Sequence, residues 1–325
     1  MHFQGVDNIF FRILFGVEGV NLFFCISGFL ITGILLDTRG NHAVPVGDKL
    51  KIFYARRFLR IFPLYYLVIF FLLLISVPYR PFFKYDFFYT SNIYYAFLGD
   101  FPASPAPHFW SLAMEEQFYL LWPMLIYLIP ADRVLTVIVA VFSISLLMSF
   151  LLITRGYAFA SDRTFGSVAF LSIGGILASV YRNCKGDIKW VFPFFYVCLV
   201  TYLLLEVLAY YKGVTLQAFP HLLFKVAFAF SIVGVFVASW KASVIKSFVE
   251  NRVVVYLGKI SYGLYVYHLL MIIPWTFIKR SLGLEVFSHN TEAFMKIFLS
   301  ILFASVSWHF FENPVQKLKR LFVYQ

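Results

Sequence analysis

The sequence predicts an all-α, polytopic transmembrane helical bundle, and three observations carry that prediction. Of its 325 residues, 61% are hydrophobic and only 13% charged, where a soluble domain averages about 25% charged. Apolar runs recur along the whole length, many of them near the roughly 20 residues needed to cross a hydrocarbon core. The basic residues fall mainly in the short stretches between those runs. There they read as membrane topology rather than as a nucleic-acid surface, despite a net charge of +11.

Nine spans are expected, near 18–36, 61–78, 111–130, 134–153, 166–181, 190–210, 218–240, 253–275 and 292–311. Loops on one side carry sixteen Lys and Arg, among them Arg39, Arg56, Arg57, Arg60, Arg182, Lys317, Lys319 and Arg320; loops on the other carry seven, among them Arg80, Arg155, Arg163 and Lys279. The richer set marks the cytoplasm, so the C-terminus is expected there and the protein in the plasma (inner) membrane. Nine spans would then place Met1 outside. Residues 1–17 nevertheless lack the basic-then-apolar pattern of a cleavable signal, and a further helix upstream of Met1 is expected. The segment 79–110, rich in Tyr, Phe and Pro, suits the membrane interface and is expected to lie on the bilayer or dip into the protein. No linker, low-complexity tract or repeat divides the chain, so residues 1–325 read as one membrane-embedded domain. Cys25, Cys184 and Cys198 are scattered without metal-ligand spacing, so no metal site or disulfide framework is expected.

Three stretches hold polar groups that an apolar bundle does not need. In "KIFYARRFLRIFPLYY" (51–66), Arg57 and Arg60 are i,i+3 neighbours on one helix face with Arg56 beside them. Two guanidiniums on one face form a fork for phosphate oxygens; arginines at a cytoplasmic helix end equally serve as anchors on lipid headgroups. In "HFWSLAMEEQFYLLWP" (108–123), Glu115 and Glu116 are about 100° apart around the helix, so both cannot face one partner. Glu115 shares its face with Tyr119 and Trp122. A carboxylate at membrane depth normally faces protein or a wet cavity, whereas an interfacial pair with one member solvated is the plainer alternative. In "SYGLYVYHLL" (261–270), Ser261, Tyr265 and His268 form a polar stripe that also suits helix–helix hydrogen bonding. "FFCISGFLITG" (23–33) contains Ser27 and the small pair Gly28 and Thr32, which favours close helix packing.

Taken in order, the blocks "GVEGVNLFFCISGFLITGILL" (16–36), "FYARRFLRIFPLYY" (53–66), "HFWSLAMEEQFYLLWP" (108–123) and "ISYGLYVYHLL" (260–270) give the chain a clear resemblance. It resembles the integral-membrane acyltransferase 3 family, the O-acyltransferases of bacterial cell envelopes. "DRTFGSVAFLSIGGILA" (162–178) and "FFENP" (310–314) extend the similarity over almost the whole length.

The resemblance implies about ten membrane helices and an acyl-CoA donor reaching the site from the cytoplasm, with acetyl-CoA the first expectation. The acceptor it implies is a hydroxyl of an extracytoplasmic glycan or lipid-linked glycan. Membrane lipids are the other expected partner, with no nucleic acid, no metal and no permanently bound cofactor. The paired-arginine motif maps to Arg57 and Arg60, with Arg56 nearby, as the acyl-CoA-binding group. The WSLxxE block maps importance to Glu115 over Glu116. The first-helix histidine of the family falls at His2, expected as general base; the arginine that normally precedes it has no counterpart, so the chain is N-terminally truncated relative to the family. Asn21 stands where the family commonly has an acidic residue. Ser27, Arg163, Tyr262 and His268 are the remaining candidates to line a cleft. Two other readings stay open from the residues alone: a transporter or flippase whose arginines bind a phosphorylated headgroup, and an inactive truncated remnant.

Overall fold

The computed structural model describes residues 18–41, 43–212, 218–240, 242–281, 283 and 289–323. Among these, every regular element is helical. The longer helices, in chain order, are α1 (Glu18–Arg39), α2 (Val46–Ile75), α3 (Phe83–Phe87), α4 (Ser91–Leu98), α5 (Phe109–Leu128), α6 (Val134–Thr154), α7 (Ala158–Arg163) and α8 (Phe165–Asn183). They continue as α9 (Val191–Lys212), α10 (Ala218–Ala238), α11 (Ser243–Val249), α12 (Arg252–Tyr267), α13 (Ile272–Ser281), α14 (His289–Ser307) and α15 (Asn313–Lys317).

Each of the nine expected apolar stretches is occupied by helix. Among the described residues, six helices are long and apolar enough to cross a membrane, and the pair α12–α13 makes a seventh if counted as one span. Two boundaries differ from expectation. The span expected at 61–78 is the second half of α2, which is 30 residues long, or about 45 Å at 1.5 Å per residue. Its first turns are charged and fall outside any apolar window, although a helix forms there readily. The span expected at 253–275 is broken between Tyr267 and Ile272, with the two helices bent by 72°.

The chain divides into two units. The first comprises residues 1–42, 95–100 and 114–242. In it, α1 and α8 meet backbone to backbone. A Cβ on Gly28 would lie 1.9 Å from the Leu171 carbonyl oxygen, and one on Gly174 would lie 2.0 Å from that of Cys25. Glycine is therefore required at both crossings, and the small pair read at Gly28 and Thr32 serves this packing. Along α5, α1 forms a ladder of polar contacts. The Trp122 indole donates to Thr32 Oγ1 at 2.8 Å, and Thr38 and Tyr127 share a hydroxyl contact at 2.7 Å. The Arg39 guanidinium donates to the carbonyls of Ile126 and Ile129, which lie at the end of α5 where the last carbonyls have no helical N–H donor. Asp37 and Arg182 form a two-point ion pair at 2.7 and 2.6 Å, tying α1 to α8.

The second unit comprises residues 43–94, 101–113 and 243–325. Its core is aromatic and aliphatic, centred on Tyr65, Ile69, Tyr79, Phe109, Val266 and Trp275. The 79–94 part of the aromatic segment packs into this unit. Tyr79 is fully buried, and Tyr65 stacks on Tyr89 with ring centroids 4.6 Å apart. The Tyr65 hydroxyl donates to the Asp86 carbonyl at 2.8 Å, and the Tyr79 hydroxyl to the Asp86 carboxylate at 2.8 Å. A Cβ on Gly263 in α12 would lie 2.9 Å from Glu312 Oε1, so a side chain there would require the Glu312 carboxylate to shift.

Candidate functional site

In the first unit the polar centre is Glu115, which is 3% exposed. The side chain points to α1, where the Ser27 hydroxyl donates to its Oε1 at 2.5 Å. One turn further along α5, the Tyr119 hydroxyl donates to the same oxygen at 2.5 Å, and the Ser27 and Tyr119 oxygens are 2.7 Å apart. Three oxygens thus form a closed triangle inside the unit. A carboxyl group removed from water is tolerated when hydrogen bonds replace the water, and this triangle supplies them. Glu116 is only half-buried, so the two adjacent carboxylates part as the helical angle required.

Ser111 does not cap α5. The helix begins at Phe109, and the Ser111 hydroxyl lies inside its first turn, in contact with the Tyr265 hydroxyl. Arg163 closes α7 with its guanidinium over the Phe159 ring at 4.6 Å. Burial lowers its pKa, and Asp162 opposes the shift.

In the second unit the three arginines project from the first half of α2. Arg57 lies over the Phe53 ring at 5.6 Å, and Arg56 donates to the Phe322 carbonyl at 3.0 Å. The charges of Arg60, Arg57 and Arg56 all act on Lys319, so the C-terminal turn adds a fourth cation to the group. Glu312, held by the Ser307 hydroxyl at 2.9 Å, is the carboxylate that feels Arg60. The Tyr262 hydroxyl donates to the Ile61 carbonyl at 2.8 Å. Tyr262 therefore fastens α12 to the turn of α2 that carries Arg60.

His268 sits where α12 ends. Its Nδ1 contacts the Tyr265 carbonyl at 2.6 Å, and its ring meets that of His108 with centroids 4.7 Å apart. His108 is buried, with Nε2 3.2 Å from the Val266 carbonyl, and the Tyr265 hydroxyl donates to the His108 carbonyl at 2.6 Å.

The structure thus joins Ser27 with Glu115 in the first unit. In the second it groups Arg56, Arg57 and Arg60 around Lys319, bonds Tyr262 to the Ile61 carbonyl beside Arg60, and pairs His268 with His108. Arg163 stands in the first unit, and His2 lies outside the described residues. Sequence reasoning placed Tyr119 on the Glu115 face but gave it no role, and it did not select His108 or Lys319. For Tyr119 the i,i+4 spacing from Glu115 was the available signal. For His108 the signal was only its place beside a predicted span, and for Lys319 there was none, since its partners are distant in sequence. Among the described residues no group of three or more His, Cys, Asp or Glu could hold a metal ion.

A multi-pass helical membrane protein with a hydroxyl-bound buried carboxyl group and a cationic helix end is the class these features define. The chain belongs to the Acyltransferase domain family, whose model matches residues 1–309. It is similar to the O-acetyltransferase OatA of Staphylococcus aureus, 27% identical over 331 residues, covering 93% of this chain and 53% of that protein. It is also similar to the peptidoglycan O-acetyltransferase OatA of Listeria monocytogenes, 27% identical over 339 residues, covering 93% of this chain and 51% of that protein. The chain therefore spans about half the length of these curated relatives. No solved structure matches it significantly.

Proposed function

We propose that this chain is a membrane O-acyltransferase that moves an acyl group, acetyl in the first instance, from acyl-CoA to a hydroxyl of an envelope glycan. The observation that carries the reading is the match of the acyltransferase family to nearly the whole chain. The peptidoglycan O-acetyltransferase named among the relatives supports a glycan acceptor.

The residues fit named roles. Arg56, Arg57 and Arg60 bind phosphate oxygens of the donor, for which their planar forks are suited. The acceptor hydroxyl attacks the thioester carbonyl carbon while a base removes its proton, and the C–S bond breaks to release the thiol. His2 is the base that the family pattern supplies; an acyl-His relay is the variant of the same chemistry. Glu115, oriented by Ser27 and Tyr119, hydrogen-bonds the acceptor or a cationic group. Arg163 and Tyr262 are the further candidates for contact with a substrate, each in its own unit. The donor enters from the cytoplasm, and the C-terminus lies on that side of the plasma membrane.

The test uses membrane fragments holding the full chain, incubated with acetyl-labelled acetyl-CoA and peptidoglycan. Ester-bound label in the glycan, released by mild alkali, is the expected result. Wild-type membranes that transfer no label would overturn the reading and favour a transporter or a structural remnant.

A further inference from the structure

The C-terminal end of the chain returns to α2. Both α15 and the turn Leu318–Leu321 after it pack against that helix, and the Arg56 guanidinium donates to the Phe322 carbonyl at 3.0 Å. This clasp brings Lys319 into the field of Arg56, Arg57 and Arg60. Lys319 is half-buried, and its ammonium donates to Gln316 Oε1 at 2.8 Å. An ammonium carries three donors, so this bond aims the group and leaves two donors for another acceptor.

Four cations from two chain segments repel one another unless an anion joins them. Among the described residues no carboxylate forms an ion pair with Arg56, Arg60 or Lys319. Glu312, which feels Arg60, is buried and bonded to Ser307. Arg56 and Arg60 are exposed, so the patch is open to an anion from solution.

The two kinds of cation suit two kinds of phosphate. Planar arginine forks grip paired oxygens, whereas a lysine acts as a point charge. A CoA-type donor offers both targets: a diphosphate bridge and, on its ribose, a separate phosphate monoester of about −1.5 to −2 charge at neutral pH. Arg57 and Arg60 share one face of α2. Lys319 stands on a different segment, which suits a second phosphate group rather than the same one.

We propose that Lys319 is a donor-specificity residue, binding the ribose phosphate monoester of acyl-CoA while the arginines of α2 hold the diphosphate. This rests on the acyl-transfer reading above and names the part of the donor that the C-terminal turn recognises.

The test measures equilibrium binding of CoA and of dephospho-CoA, which lacks that monoester, to the purified full chain, alongside the labelled transfer assay. Wild type is expected to prefer CoA by about tenfold or more. In Lys319→Gln the ratio is expected to fall toward one, and Lys319→Arg is expected to keep part of it. Thermal unfolding in detergent checks that the variants are folded. Equal wild-type affinity for the two ligands overturns the proposal whatever the variants do, and so does an unchanged ratio in folded Lys319→Gln. A substitution that alters retention of phosphatidylglycerol but not the ratio gives the patch to a lipid headgroup and overturns the proposal as well. If wild type binds CoA but transfers no label, the acyl-transfer reading falls alone and the binding ratio still decides the role of Lys319. A wild type that neither binds CoA nor transfers label overturns both.

Discussion

The Ser27 hydroxyl donates to Glu115 Oε1 at 2.5 Å across 88 residues of sequence. This contact, completed by Tyr119, makes α1 and α5 a single support for one buried carboxyl group. Removing one donor leaves a buried acceptor short of a partner, which costs about 1–3 kcal/mol. Ser27→Ala and Tyr119→Phe are each expected to lower detergent-phase stability by that amount. Because both act on one oxygen, the double variant is expected to depart from additivity. Thermal unfolding of the four proteins in the cycle measures it, and strict additivity would show that the triangle does not act as a unit.

Close backbone crossing sets a second expectation. Gly174→Ala would place a methyl group 2.0 Å from the Cys25 carbonyl oxygen, so α1 and α8 must separate. Overpacking of this kind costs typically about 1–3 kcal/mol. Gly258→Ala is the control, since nothing lies within 4 Å of its new Cβ. There the helix gains up to about 1 kcal/mol from the better helix former. Opposite shifts in melting temperature are expected for the two variants.

How much of this was legible beforehand follows from the range of each interaction. The helices could be read because burial in lipid depends on local composition, and the Glu115 face because helical geometry is local. The pairing of Ser27 with Glu115 could not be read, because nothing in either segment names the other. Hydropathy averages also smooth over a bend: the run 253–275 is apolar on average, so the break at His268 left no mark in that average. The charged first half of α2 fell outside any apolar window for the opposite reason. His2 lies outside the described residues, so its part in the site still rests on the family pattern.

Under the proposed reading, donor binding at the arginines is expected to carry a charge signature. Arg57→Gln and Arg60→Gln each remove a charge-assisted hydrogen bond worth about 1.5–3 kcal/mol. Each is expected to raise the KM for acetyl-CoA by roughly tenfold or more. Lysine at either position is expected to recover part of this, since it restores the charge but not the planar fork. Lys319→Gln is expected to act in the same direction, because it shares the field of all three arginines. KM values at low and high salt for the variants test this; affinity that is indifferent to both substitution and salt would remove the arginines from the donor site.

Stability should also depend on pH through Asp86, which lies in the segment between spans and is fully buried. Burial pushes its carboxyl up to about 7, and the hydrogen bond from Tyr79 only partly opposes that rise. In the unfolded chain the group titrates near its ordinary value of 3.8. Between these values the folded protein holds a proton that the unfolded chain has released, so stability falls as pH rises. The contribution is fully present below pH 3.8 and is lost progressively up to about 7, amounting to a few kcal/mol over that window. Asp86→Asn keeps the shape and a neutral polar group without the titration. It is expected to flatten the slope of melting temperature against pH between 5 and 7.5 and to be the more stable protein at the upper end. Parallel slopes for wild type and Asp86→Asn would show that the carboxyl is ionised in both states across that range.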